Sequence, residues 1–248
     1  MRASILVAAL AALAPHTQAQ APGKWPPDSL VNTQVIPHGT PVTQVIGTMR
    51  NFSFDLGVRC TYCHVGEERT PLAQVDFASD QKRNKLVARQ MMLMVQEVNR
   101  RLDTIPQPGT PDVAVTCATC HRGVSRPVPL ATIIAETAIA AGSDSAIRSY
   151  HALREQHHGR DAYDFGEISL NSAAFRAARA GKIDEALALL RVNEEQFPRS
   201  SALHISRGNI FLMRGDTTAA AASFREALQR DSTNREARGR LRAIGREP

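Results

Sequence analysis

The chain holds four cysteines, and they fall in two pairs. Cys60-Thr61-Tyr62-Cys63 runs into His64, and Cys117-Ala118-Thr119-Cys120 runs into His121. Three chemistries use such pairs: disulfides in an exported chain, zinc between two Cys-x-x-Cys pairs, and covalent c-type haem. The histidines discriminate. A disulfide needs none at that place, and neither does zinc. Covalent haem does: two thiols one turn apart add across the vinyl groups, and the adjacent imidazole reaches the iron. With eight His in 248 residues, a His follows both pairs by chance about once in a thousand. The residues point to two haem c groups, attached through Cys60 and Cys63 and through Cys117 and Cys120. His64 and His121 are then the proximal iron ligands, and zinc is the competing reading. No cysteine is left for a structural disulfide.

The sixth iron ligand decides what such a centre does. A Met or His closes the site for electron transfer, while an open position admits ligands or peroxide. Met49 is the candidate for the first haem. Thr40-Pro41 is a helix start, with Thr as cap and Pro at the first position. From there Val42, Val45, Ile46, Met49, Phe52 and Leu56 fall on one helical face, and Gly57 ends the helix before Cys60. For the second haem the spacing predicts a helix over 80–102. Its apolar stripe is Val87, Met91, Met94, Val95, Val98 and Leu102. Its outer face is Lys82, Lys85, Arg89, Glu97 and Arg100, and Met92 points away. Met94 is central on the stripe and is the candidate ligand, with Met91 or a remote His such as His38 as alternatives. Arg50, Arg59 and Arg122 flank the motifs and are candidates to pair with haem propionates.

These residues resemble a known family. Met49-Arg50-x-Phe52 and Leu56-Gly57-Val58-Arg59-Cys60-Thr61-Tyr62-Cys63-His64-Val65 are similar to the photosynthetic reaction-centre cytochrome c subunits. So are Phe77-Ala78-Ser79-Asp80, Ala88-Arg89-x-Met91-x-x-Met94-Val95, Asn99 and Val115-Thr116-Cys117-x-Thr119-Cys120-His121-Arg122-Gly123. The resemblance covers about residues 30–129. It implies that a helix and an attachment turn serve each haem, often with an axial Met from the preceding helix. Carried over, it supports Met49, Cys60, Cys63 and His64 on one haem, and Cys117, Cys120 and His121, with Met94, on the other. The family's last haem can also take a His from elsewhere in a longer chain. The family usually carries four haem motifs and this chain has two, so it resembles the C-terminal half. That implies a stand-alone dihaem electron carrier.

Beyond Pro127 and Pro129 the pattern is helical, over 130–142 and 145–157. After Gly166 a period of 34 emerges: Ala174 pairs with Gly208, Gly181 with Gly215, Ala186 with Ala220, and Leu190 with Phe224. This resembles tetratricopeptide repeats, whose small residues let paired helices approach closely. A short helix over 235–244 would cap the stack. His151, His157, His158 and His204 lie in this region and read as surface or packing residues.

The expected fold is mainly α: a dihaem c-type cytochrome domain with little regular sheet, then an α-helical tetratricopeptide-like repeat domain. The expected order is a signal peptide at 1–19, a tether at 20–29, the dihaem domain at 30–129, a helical connector at 130–165, and repeats with a C-terminal capping helix at 166–248. The apolar run after Arg2, ending in Thr17-Gln18-Ala19, reads as a secretory signal. It places the mature chain in the periplasm, with peripheral attachment to the inner membrane as an option. The formal charge of +6 is spread along the chain and gathers no aromatics, which disfavours nucleic acid.

The function expected is electron transfer between a redox donor and an acceptor protein, not enzyme catalysis. The repeats would dock a partner, a membrane electron-transfer complex being one option. The alternatives are a dihaem peroxidase-like enzyme with one open iron site, and a repeat adaptor whose haems are structural.

Overall fold

The computed structural model describes residues 24–106 and 113–247; the expected signal peptide and the start of the tether lie outside them. Among the described residues there are nine α-helices and no strand, only one isolated bridge between Val65 and Asp76. The fold is mainly α. The chain divides into two compact units, Met1–Phe54 with Val58–Val115, and Asp55–Gly57 with Thr116–Pro248. The division falls just before the second Cys pair, whereas Pro127 and Pro129 in the sequence suggest a break at 129.

The first unit holds α1 (Val42–Leu56) and α2 (Arg83–Leu102), with short 3-10 turns at Cys60–Tyr62 and Leu72–Gln74. The apolar face expected on α1 is present, but only Val45 on it is fully buried. The Thr40 hydroxyl donates to the Pro37 carbonyl at 2.8 Å, a local turn bond rather than the expected cap.

Helix α2 starts at Arg83, three residues later than its periodicity predicts, and it is turned differently. Lys85, read as an outer-face residue, is only 9% exposed. Its ammonium donates to the carbonyls of Phe77, Ala78 and Ser79, each at 2.9 Å, and lies 3.1 Å from Asp80. Arg89 bonds Asp80 and the Asn32 carbonyl, and Asn32 bonds Asp80 in turn. Arg89, then Asn32 and Lys85, hold the Asp80 carboxyl well below the usual carboxylate range. Lys82 donates to the Thr61 and Gly66 carbonyls. The orientation of α2 has a plain cause. Loops expose unpaired carbonyls, and a row of cations on one helix face satisfies them better than water once the loops fold over it. The apolar flank of α2 is the one left open: Val87, Met91 and Met94 are exposed, as are Leu86 and Leu93.

The second unit begins with α3 (Cys117–His121) and continues through α4 (Leu130–His157), α5 (Glu167–Arg179), α6 (Ile183–Gln196), α7 (Ser201–Met213), α8 (Thr217–Arg230) and α9 (Arg235–Ala243). Helix α4 contains the expected break, with Gly142 at φ 81°, ψ 171°. It is long and apolar enough by length and composition to cross a membrane. Leu130, Ile134, Ala138, Ala146 and Tyr150 on it are buried in a common core with Leu170, Leu189 and Ile210.

The period of 34 is visible in the backbone. Gly181 and Gly215 both turn the chain at φ +81°, a left-handed value that favours glycine. Ser200 and Asn234, also 34 apart, cap α7 and α9 by accepting from the Leu203 and Ala237 N–H groups. At Gly208 a Cβ would lie 2.4 Å from the Phe224 ring, which is fully buried. Small residues at this place therefore set the distance between α7 and α8.

Within this stack His204 is 3% exposed and touches charges from three helices. Its Nδ1 lies 2.9 Å from the Arg207 guanidinium and 3.2 Å from Glu226, and its Nε2 lies 3.6 Å from Glu194. Burial pushes the imidazole below its ordinary range; Arg207 and Arg230 add to this and Glu194 opposes it. A histidine whose folded pKa is depressed stabilises the fold above its unfolded pKa and loses that contribution as pH falls. The unfolding midpoint of the repeats should drop between about pH 7 and pH 5. Replacement of His204 by Gln should flatten that slope, as read by circular dichroism melts across the pH range.

Candidate functional site

The first motif forms a single tight turn. The Cys63 and His64 N–H groups both donate to the Cys60 carbonyl, at 3.2 and 3.0 Å. Two side chains hold this turn from outside: Lys82, just before α2, on the Thr61 carbonyl, and Asn84, in the first turn of α2, on the Tyr62 carbonyl. Cys60, Cys63 and His64 thus project from one rigid piece of backbone. The His64 ring lies 4.9 Å from the Phe77 ring, which itself stacks on Trp25 at 4.9 Å. Burial first, and the Lys85 charge second, push the His64 imidazole down to about 4. It is therefore neutral at pH 7, the form that ligates iron. Burial raises the Cys63 thiol, with Lys82 opposing.

Met49 is half-buried on α1, eleven residues before Cys60. Met94 is 49% exposed on the open flank of α2, with Met91 beside it, whereas Met92 is half-buried. His38 has its Nδ1 3.3 Å from the Thr33 hydroxyl.

The second motif is a short helix. Thr116 caps α3, and Thr119 returns a bond to the Thr116 N–H, a reciprocal capping box. Asn99 holds the incoming backbone by bonding both the N–H and the carbonyl of Val115. His121 Nδ1 lies 2.9 Å from the Val124 carbonyl. That bond makes Nδ1 the donor and leaves Nε2 with a free lone pair, which is the arrangement that metal-bound histidines use. Burial raises the Cys117 thiol, and Asp55 adds to it. All four cysteines are free thiols in this structure.

Behind α3 the chain turns sharply. Arg122 is left-handed at φ 50°, and Gly123 follows at φ +85°. The Gly123 N–H donates to the Asp55 carbonyl at 2.8 Å. Gly57, at φ +64°, lies so close that a Cβ on it would meet the Gly123 oxygen at 2.1 Å. The glycine before the first motif and the glycine after the second are therefore packed backbone to backbone. Of the three arginines expected near propionates, Arg59 lies 3.9 Å from Glu68 and Arg50 is exposed. Arg122 lines an open groove of about 700 Å³ with Arg160, Asp161 and Tyr163.

The residues present fit covalent haem. Each motif offers two free thiols one turn apart and a neighbouring imidazole. In the first unit the open apolar flank of α2 and the sparse core leave apolar side chains with no protein partner, which a flat apolar group would cover. The residues that the sequence reading missed are those that hold the turns: Lys82, Asn84, Lys85 and the Gly57–Gly123 pair. The only signal for the first three was a polar helix face, which reads equally well as a solvent face.

The family model described as photosynthetic reaction centre cytochrome C subunit matches residues 60–158. The match takes in both Cys pairs with their histidines, runs on through α4, and leaves Met49 outside. It supports haem binding and a cytochrome-like role in electron transfer. No curated protein and no solved structure matches the chain.

Replacing Gly57 by Ala adds a methyl group against a backbone oxygen and a left-handed φ. The neighbour is main chain and cannot rotate away, so the cost should be about 1–3 kcal/mol or more. The same change at the exposed Gly47, where nothing lies within 4 Å, should be neutral or stabilising. Thermal melts of the two variants check this.

Proposed function

We propose that this chain is an exported dihaem c-type cytochrome that passes electrons between a donor and an acceptor protein in the periplasm. Two motifs, each presenting two thiols and an imidazole from one ordered turn, carry the reading. The Cys60 and Cys63 sulfurs anchor one haem and the Cys117 and Cys120 sulfurs the other. His64 and His121 would each supply an imidazole to an iron. Met49 would supply a thioether to the first, and Met94 is the candidate to do so for the second. Each haem supplies an iron that takes up and gives back one electron. The protein would hold the ligands still, keep the His121 imidazole in one tautomer through the Val124 carbonyl, and cover the macrocycle with apolar side chains that exclude water. Helices α5–α9 supply a surface for docking the redox partner, a membrane complex being the partner considered.

The Met49→Ala variant of the loaded protein tests this reading. The native protein should show two one-electron steps in a redox titration and should not bind carbon monoxide. Loss of the Met49 thioether should lower the first midpoint potential, because Met raises the potential relative to other ligands, and should open that iron to carbon monoxide. Carbon monoxide binding by the unaltered protein would instead favour the peroxidase-like alternative.

A further inference from the structure

Within the repeats, the excess of positive charge gathers on one helix. Over 166–234 nine basic side chains meet eight acidic ones, whereas over 235–248 five meet two. Helix α9 carries four of those five, all arginines and all exposed. Its Ala237 and Leu241 are buried in one cluster with Phe224 and Ala227 of α8. Arg235, Arg238 and Arg242 recur at i, i+3 and i+7, so they form one column beside that buried face, about 10 Å long. Among the described residues no ion pair involves any of the three. Arg240, on the other flank, is paired with Glu236 at 3.3 Å. Arg207 and Arg214 each meet two carboxylates.

Folding alone does not favour this column. Like charges three and four residues apart on a helix repel. The helix dipole favours a cation in the last turn, which accounts for Arg242, but Arg235 opens the helix, at the end that disfavours one. Two local bonds steady the side chains without neutralising them: Arg238 donates to the Ser232 carbonyl, and Arg242 Nε donates to the Arg238 carbonyl at 3.4 Å. Each guanidinium keeps further N–H donors, in the planar fork that takes a carboxylate or a phosphate on two parallel bonds. A bilayer suits the column poorly. It is broad and flat, so it would also meet the exposed Glu236 and Glu247. No large apolar side chain of α8 or α9 is exposed to enter it. A narrow acidic segment would reach the arginines and pass those carboxylates by.

We propose that Arg235, Arg238 and Arg242 dock an acidic segment of the redox partner protein, one whose carboxylates repeat along a single helix or strand edge. This rests on the reading above that the repeats dock that partner. The contact is polar and exposed, so it governs the rate of encounter and its salt dependence more than raw affinity.

The test uses the full exported chain and a fluorescent oligoglutamate peptide, which stands in for the acidic segment, with binding read by anisotropy at low ionic strength. The parent should bind, and added salt should weaken the binding. The variant Arg235→Gln/Arg238→Gln/Arg242→Gln should bind about tenfold more weakly. A control that removes the same charge from other exposed sites, Arg179→Gln/Arg191→Gln/Arg199→Gln, should bind as the parent does. If the α9 variant does not fold, single changes decide: Arg235→Gln and Arg242→Gln should each weaken binding, and Arg240→Gln should not. Equal losses in the α9 variant and the control reduce the effect to net charge and overturn the proposal. So does a parent that ignores the peptide but binds phosphatidylglycerol vesicles through the same arginines, and so does a parent that binds neither. Haem content, measured on the same sample, separates the two readings. A chain without haem that still binds through α9 overturns the dihaem reading alone, and a chain with two haems that does not bind overturns this inference alone.

Discussion

The buried ammonium of Lys85 is the interaction on which the N-terminal unit depends. That unit has almost no apolar core of its own: Val45 and Val75 are its fully buried apolar residues among those described. A chain with so little to bury needs another way to fix its loops. Three carbonyls and a carboxylate converging on one lysine supply it, at roughly 1.5–3 kcal/mol for each bond to a charged group. Removing the ammonium would leave those carbonyls buried and unpaired, which costs more than the bonds are worth in isolation. The same arrangement ties the Asp76–Asp80 loop to α2 and, through Phe77, fixes the surroundings of His64. In this way one polar contact orders the loops while the apolar flank of α2 stays free for a prosthetic group.

The second unit reaches stability by a more ordinary route. Its buried residues form two clusters, one across α4 to α7 and one across α7 to α9, rich in alanines and leucines that allow close helix packing. The second Cys pair begins this unit, on α3, whose backbone is fixed by the Thr116–Thr119 capping box and the turn behind it. The Asp55–Gly57 turn belongs to the same unit through its contact with Gly123. A glycine on each side of that contact is a steric requirement, and it explains two glycines that carry no chemistry themselves.

Much of this was legible from the amino-acid sequence. The two Cys-x-x-Cys-His motifs, the break at Gly142 and the 34-residue period each rest on local rules: bond geometry, glycine's access to left-handed φ, and the size of a residue at a helix crossing. The orientation of α2 was not legible. A helical wheel separates polar from apolar positions, but it cannot say whether the polar face meets water or loop carbonyls. Lys85 and Arg89 therefore read as solvent-facing, although each side chain is only 11% exposed. The Thr40 hydroxyl failed for a related reason: a nearby turn carbonyl competed with the helix for it. The Gly57–Gly123 contact joins residues 66 positions apart, and no local pattern encodes it.

The central claim is that both motifs carry covalent haem. The direct measurement is haem per chain, from the reduced pyridine haemochrome spectrum of protein exported alongside a haem-maturation system. The account predicts two haems per chain, falling to one when either Cys pair is replaced by Ala. A chain that matures with no haem and retains zinc on its cysteines would contradict it.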